Sequence, residues 1–219
     1  MKEMNKIFTI GHSTDAIDMF IGYLKLYGID TVVDVRSIPY SRFASQFNRE
    51  ILSKRLKRES IYYVPMGYNL GARYTEKELL FEDGKVDFSK VVSTNRFKNG
   101  ISRLEKGIEK GLKIVLMCSE KNPIECHRFS LISNCLYSKG YNVMHLVEED
   151  CFDHKLLQDK LLDYFKEYHK ITTDINKIIN FQIMQGSLFN FDDINENTLY
   201  LELNKLIGYS PIEAKKEVL

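Results

Sequence analysis

Several kinds of signal are missing from this chain of 219 residues. No apolar run reaches the roughly 20 residues that a membrane-spanning helix needs. Charges follow Met1 at the start, but no long apolar stretch comes after them, so residues 1–6 do not read as a signal peptide. The four cysteines are irregularly spaced, which argues against a disulfide framework. Together these absences predict a cytoplasmic protein with reduced thiols and no membrane partner. No charge of one sign dominates: 31 Lys and Arg stand against 30 Asp and Glu, a net of +1. That balance neither demands nor excludes nucleic acid, because local patches outweigh totals. There is no glycine-rich phosphate loop, dinucleotide fingerprint, internal repeat or low-complexity tract.

What is present is 44% hydrophobic and 28% charged, the composition of a globular protein with one ordinary domain and an appendage. Apolar, β-rich runs at 7–10, 31–35, 61–64, 113–117 and 142–147 alternate with helical patterns at 14–27, 48–58, 89–110 and 122–140. In the first helix Ile17, Phe20, Ile21 and Leu24 share a face, and Asn122-Pro123 reads as the start of the last. Strand–helix alternation predicts an α/β fold: three layers around a mostly parallel, doubly wound sheet of about five strands. The α/β domain is expected over residues 1–150 and a helical C-terminal extension over 151–219. The stretch between the third strand and the third helix is long and irregular, as functional or mobile loops are.

Polar clusters fall where these strands end. Ligands of open α/β sheets bind at the carboxyl ends of strands, so the clusters predict one shared, anion-attracting cleft. Gly11-His12-Ser13 ends the first strand, with a capping turn as the plainer explanation. Asp34 and Arg36 share a face of extended chain and could equally be an ion pair. Arg42 follows, with Tyr40, Phe43 and Phe47 interleaved, and Leu70-Gly71-Ala72-Arg73 lies in the long loop. Cys118 and Glu120 end the fourth strand, and Cys126, His127 and Arg128 are placed in the first turn of the next helix, where backbone N–H groups attract anions. The expected roles are phosphate binding by Arg36, Arg42, Arg73 and Arg128, with Ser13 and Cys126 in the walls. Acid–base work falls to His12, Asp34, Glu120 and His127, and nucleophilic attack to Cys118 first and Cys126 second. Cys135 and Cys151 read as buried small hydrophobes. No cofactor or metal is expected: Cys118, Cys126, His127 and His12 offer suitable atoms, but adjacent helical residues point about 100° apart, so Cys126 and His127 would not readily serve one ion.

In this order, Thr9-Ile10-Gly11-His12-Ser13, Val33-Asp34-Val35-Arg36 with Pro39 and Ser41-Arg42, Leu70-Gly71-Ala72-Arg73, and Leu116-Met117-Cys118-Ser119-Glu120 to Cys126-His127-Arg128 resemble the Domain of Unknown Function 488 family. His145 in the closing strand fits the same pattern. The resemblance covers roughly residues 5–150, with Ala72 standing where a second glycine is frequent. It implies a compact α/β fold and supplies no established activity.

Outside that region, Gln185-Gly186-Ser187-Leu188-Phe189 is similar to peptides that dock on the bacterial replication sliding clamp, with Gln185, Leu188 and Phe189 as anchors; a packed tail segment is the alternative. Three functional classes follow. The first is an enzyme acting on a nucleotide or nucleic acid by hydrolysis or group transfer. The second is a non-catalytic nucleic-acid-binding or clamp-associated adaptor. The third is a thiol sensor that joins Cys118 to Cys126.

Overall fold

Period-two alternation in the apolar runs lets each strand supply side chains to both faces of a sheet. The computed structural model describes residues 5–182 and 194–211. In chain order its elements are β1 (Lys6–Gly11), α1 (Ile17–Leu26), β2 (Thr31–Asp34), α2 (Arg49–Arg58), β3 (Tyr62–Pro65), the one-turn helices α3 (Gly67–Leu70) and α4 (Phe88–Val91), α5 (Asn95–Glu109) and β4 (Ile114–Cys118). A π-helical segment, Arg128–Ser133, continues into α6 (Asn134–Ser138). β5 (Asn142–Val147), β6 (Asp150–Asp153), α7 (His154–Tyr168), α8 (Ile175–Asn180) and α9 (Glu196–Ile207) complete the set.

The strand order is β3-β2-β4-β1-β5-β6. The first five strands are parallel, and β6 pairs antiparallel with β5. Every residue of β2 and β4 is buried, as expected of strands covered on both faces. On one face Val32, Val115 and Met117 meet Phe20, Ile21 and Leu24 of α1 and Leu52 and Leu56 of α2. On the other, Val33, Ile114 and Leu116 meet Phe97, Ile101, Leu104 and Ile108 of α5, with Leu131, Ile132 and Leu136. These are the three layers that the alternation implied.

Three boundaries differ from the pattern. The sixth strand is reached through a tight turn at Glu148, which takes a left-handed φ of 56°, and neither Glu148 nor Glu149 is a typical turn residue. The sheet therefore continues to Asp153, just past the expected end of the α/β part. The helix expected over 89–110 is interrupted, because Thr94 accepts the Phe97 N–H and restarts it as α5. The helix expected from Asn122 begins only at His127. Asn122 instead accepts the Ile124 N–H at 2.9 Å, closing a local turn.

The C-terminal helices bury Leu157, Leu161, Phe165, Ile178, Leu199 and Leu203 against Ile124 and Phe129 of the α/β part. A buried chain of hydrogen bonds crosses the same junction. Thr9 Oγ1 donates to His145 Nδ1 (2.8 Å), His145 Nε2 to His154 Nδ1 (2.9 Å), and His154 Nε2 to Tyr200 Oη (2.9 Å). The Tyr200 hydroxyl donates to Gln158 Oε1 (2.8 Å), and Gln158 Nε2 to Glu196 (2.6 Å). Because an amide oxygen only accepts, the direction of donation is set along the whole chain, and each imidazole is neutral with its proton on Nε2. Residues 185–189 lie outside the described residues. No helix among the described residues is long and apolar enough to cross a membrane.

Burial holds the pKa of His154 down to about 3 and that of His145 well below 6.5. The unfolded chain then binds more protons than the folded one below pH 6.5. Stability should be complete above that pH and decline as pH falls toward about 3. Urea unfolding over this range should show a shallower decline in a His145→Gln, His154→Gln double variant. An unchanged slope would remove these rings as its cause.

Candidate functional site

The site lies between β1 and β4, where the connections diverge: β1 leads to α1 on one face, and β4 leads to the π-helical segment on the other. Such a reversal opens a crevice at the carboxyl ends of the strands. The two departing loops are joined by backbone bonds. His12 N–H donates to the Cys118 carbonyl (3.0 Å) and Ser13 N–H to that of Ser119 (2.8 Å). A Cβ at Gly11 would lie 1.7 Å from the Glu120 carbonyl oxygen, so only glycine permits this approach.

Arg36, backed by the buried Asp34, forms one wall of the crevice. Asp34 Oδ1 accepts from Arg36 Nε (2.9 Å) and Oδ2 from Arg36 Nη2 (2.6 Å), a bidentate pair. Asp34 also accepts the Arg36 backbone N–H (3.0 Å) and the Tyr63 hydroxyl (2.6 Å). Arg36 Nη2 donates to the Phe47 carbonyl (2.8 Å), and Nη1 donates to His12 Nε2 (2.9 Å). His12 Nδ1 donates to the Ser13 carbonyl (2.7 Å), and its ring stacks on Phe47 at 4.2 Å. Burial first, and then the Arg36 charge, hold the His12 pKa down to about 4. His12 is therefore a neutral acceptor that positions Arg36, with both nitrogens committed; the acid–base role expected of it does not suit this arrangement.

The floor carries Cys118, Cys126 and His127. Cys126 precedes the helix, so its side chain is free of the helical 100° rule. Its Sγ lies 3.6 Å from His127 Nδ1, and Cys118 Sγ lies 3.9 Å from the same nitrogen. The divergence of Cys126 and His127 that the sequence suggested is corrected by this turn. A hydrogen bond with Cys126 and burial push the Cys118 thiol well above its usual range, which weakens its case as the leading nucleophile. Glu120 is solvent-accessible yet closely surrounded by protein. Burial would raise its pKa, but the Cys118 and Cys126 thiols, its own backbone N–H and His127 together hold it down to about 2.

A cavity of about 250 Å³ opens above this floor. Arg36, Arg73, Cys118, Glu120, Cys126 and His127 all line it, together with Ser37 and Glu125. Arg73 is exposed, with its guanidinium 4.7 Å over the Tyr209 ring. Gly67 and Gly71 bring that loop onto the chain after β2: a Cβ at Gly67 would lie 2.0 Å from the Arg36 carbonyl oxygen, and one at Gly71 2.3 Å from Ser37 Oγ. The cavity can hold a small polar molecule among two thiols, an imidazole, two carboxylates and two arginines.

Other expected residues lie elsewhere. Arg128 is completely buried, and its Nη atoms donate to the Glu120 and Lys121 carbonyls, so it braces the loop after β4 and does not reach the cavity. Arg42 is exposed and is not part of the lining, and Ser13 and Asp34 are also outside it. Sequence reasoning missed Ile207 and Tyr209, which line the cavity from the C-terminal extension, and no spacing signal ties them to the strand ends. Tyr63, Phe47 and Ser37 were also missed as partners, although Ser37 adjoins the Asp34–Arg36 motif, Phe47 is among the aromatics after it, and Tyr63 lies in the third apolar run.

A family model described as "Domain of unknown function DUF488" matches residues 16–134, from just before α1 to the first residue of α6. It includes Asp34, Arg36, Arg73 and the whole segment from Cys118 to Arg128, whereas His12 and His145 lie outside it. No curated protein and no solved structure matches the chain.

Removing one partner of a buried, hydrogen-bonded ion pair strands the other charge, at a cost of about 3–5 kcal/mol. Asp34→Ala should lose that much stability in urea unfolding. A loss of about 1 kcal/mol or less, the value of an exposed pair, would contradict the role given to this pair.

Proposed function

The chain belongs to the DUF488 family, whose description carries no activity, and from the site alone we propose an enzyme that hydrolyses, or transfers a group from, a small phosphate-bearing substrate of the nucleotide class. One observation carries this reading: the cavity at the sheet's reversal point is lined by two carboxylates, an imidazole and two thiols together with two arginines. A site that only bound phosphate would have little use for the first three. Arg73 at the rim is the principal phosphate contact. Arg36 adds the one N–H of its five that Asp34, Phe47 and His12 leave over. Glu120 orients the attacking water or hydroxyl group, and His127 faces the same space. Arg42 and Arg128 take no part in phosphate binding under this reading. The compartment it assumes is a reducing cytoplasm, in which Cys118 and Cys126 remain thiols.

A panel of nucleotides, scored for product release and for binding, tests the proposal. Glu120→Gln should abolish turnover while leaving substrate affinity within a few-fold of the parent. Arg73→Ala should weaken binding by about 10- to 100-fold, as loss of a charge-assisted hydrogen bond does. Absence of product from every member of the panel, with binding lost equally in both variants, would remove the enzyme and leave a binding module.

A second reading has its own observation. Phe43 is 92% exposed and Tyr40 55% exposed, beside the exposed Arg42 and Arg49, the latter joined to Pro39 by its backbone N–H. Aromatics interleaved with basic groups suit single-stranded nucleic acid, at about 1–3 kcal/mol per stacked base. Phe43→Ala should then weaken binding of a single-stranded oligonucleotide in fluorescence anisotropy by at least about fivefold. Equal affinity for the variant and the parent would remove this surface from consideration.

A further inference from the structure

Among the described residues, one cluster of Cys, His, Asp and Glu side chains is compact enough to share an ion, and it is the cavity floor. The donor atoms of Cys118, Cys126 and His127 all lie within 4.8 Å of one another. We propose that Cys118 Sγ, Cys126 Sγ and His127 Nδ1 form a three-ligand site for a single Zn²⁺, with the fourth coordination position open to the cavity.

Three observations carry the assignment. The first is distance. With zinc–sulfur bonds of about 2.3 Å and zinc–nitrogen bonds of about 2.05 Å, the sulfur–nitrogen edge of a tetrahedron is about 3.6 Å. The two sulfur–nitrogen edges here are 3.6 Å and 3.9 Å; the sulfur–sulfur edge, about 3.8 Å in a tetrahedron, lies within 4.8 Å, so the sulfurs need to draw together by no more than about 1 Å to close on an ion. The second is what holds them. Cys118 is the last residue of β4, inside the sheet. Cys126 and His127 are set by the loop that Arg128 clamps through two carbonyls. Cys126 Sγ also accepts the Arg128 backbone N–H at 3.5 Å. Such outer bonds orient ligands before the ion arrives. The third is the imidazole. Its Nδ1 faces both sulfurs, 3.6 Å from Cys126 Sγ and 3.9 Å from Cys118 Sγ, while Nε2 is buried without a hydrogen-bond partner among the described residues, so the outer bond that usually steadies a ligating imidazole is not supplied by them.

The donor set selects the metal class. Two thiolates and one imidazole in a tetrahedral arrangement suit a borderline-soft ion without geometric preference of its own, and they disfavour Mg²⁺ or Ca²⁺, which take oxygen. Binding displaces the two thiol protons to solvent. Three protein ligands with an open position are the arrangement of catalytic zinc, which activates a bound water. In giving the open position to the reacting water, the inference rests on the catalytic reading of the cavity above. Glu120, on the same wall and not a ligand, would accept a hydrogen bond from that water. The thiols then act as ligands, and neither attacks the substrate.

The test is a titration of the full-length, reduced, metal-free protein with Co²⁺. One equivalent should produce the visible bands of tetrahedral cobalt and a thiolate charge-transfer band, and Zn²⁺ should abolish both. Cys126→Ser and His127→Gln should each lower affinity more than about 100-fold, beyond the loss of an outer-shell partner, whereas Cys135→Ser should change nothing. Absence of the bands at one equivalent, or their persistence in Cys126→Ser, overturns the site. If a variant does not fold, X-ray absorption of the zinc-loaded parent decides the matter: a first shell without two sulfurs and an imidazole overturns it. The two proposals fail separately. Stoichiometric binding without turnover of any nucleotide removes the enzyme and keeps the ion; turnover without the cobalt bands keeps the enzyme and removes the ion, and full turnover by metal-free protein that does bind Co²⁺ removes the ion from the reaction.

Discussion

The guanidinium of Arg36 is the point on which the site depends. It is buried, and its planar fork meets Asp34 on one edge, the Phe47 carbonyl on the next and His12 on the third. Those partners come from β2, from the loop before α2 and from the end of β1, and Tyr63 of β3 completes the shell of Asp34. One buried cation thus ties two strand ends and a loop to a single geometry, and through Asp34 it reaches β3. Lysine could not replace it, because an ammonium group has no planar fork with which to meet a carboxylate bidentately. A buried pair of this kind adds less to net stability than its close contacts suggest, since desolvation offsets much of the attraction. Its effect is to hold the crevice wall in one arrangement.

With Arg36 committed inward, and Arg128 committed to the carbonyls after β4, the character of the cavity follows. Of the four arginines that the sequence brings near the strand ends, Arg128 is an internal brace, Arg42 is outside the lining, and Arg36 lines the cavity while committed mainly to its buried partners; Arg73 lines it as an exposed residue. The floor is set by sulfur and imidazole. The loop between Cys118 and His127 is held at both ends, by backbone bonds to the His12 loop and by Arg128, so its donors sit on a rigid base. Preorganisation of this kind keeps ligands or reacting groups from relaxing away when the site is empty.

The C-terminal extension belongs to the same structure. Its helices share a core with Ile124 and Phe129, and the hydrogen-bond chain from Thr9 to Glu196 runs through both parts. Asn204 adds two bonds to the chain around Val86 and Phe88. Through Ile207 and Tyr209 the extension supplies one side of the cavity, and the Arg73 guanidinium lies 4.7 Å over the Tyr209 ring.

Much of this was legible in residue order. Apolar runs with period two and period 3.6 define the strands and helices, because burial selects side chains by face. The strand-end positions of His12, Asp34, Arg36, Cys118 and Glu120 follow from where those runs stop, and they locate the crevice. The helix start near 122 was misplaced because Asn122 serves a local turn, and that error made Cys126 and His127 look divergent. Which arginine faces in and which faces out could not be read at all. A long side chain goes where acceptors lie: Asp34 beside Arg36 was readable as an ion pair, but the Phe47 carbonyl and His12 ring nitrogen that also hold Arg36, and the two carbonyls that hold Arg128, are placed by the fold. The sequence by itself determined the layered sheet and the set of reactive residues at its edge. Only the tertiary structure decided which of them meet, because the partners of a buried charge are chosen by packing between distant segments and leave no periodicity along the chain.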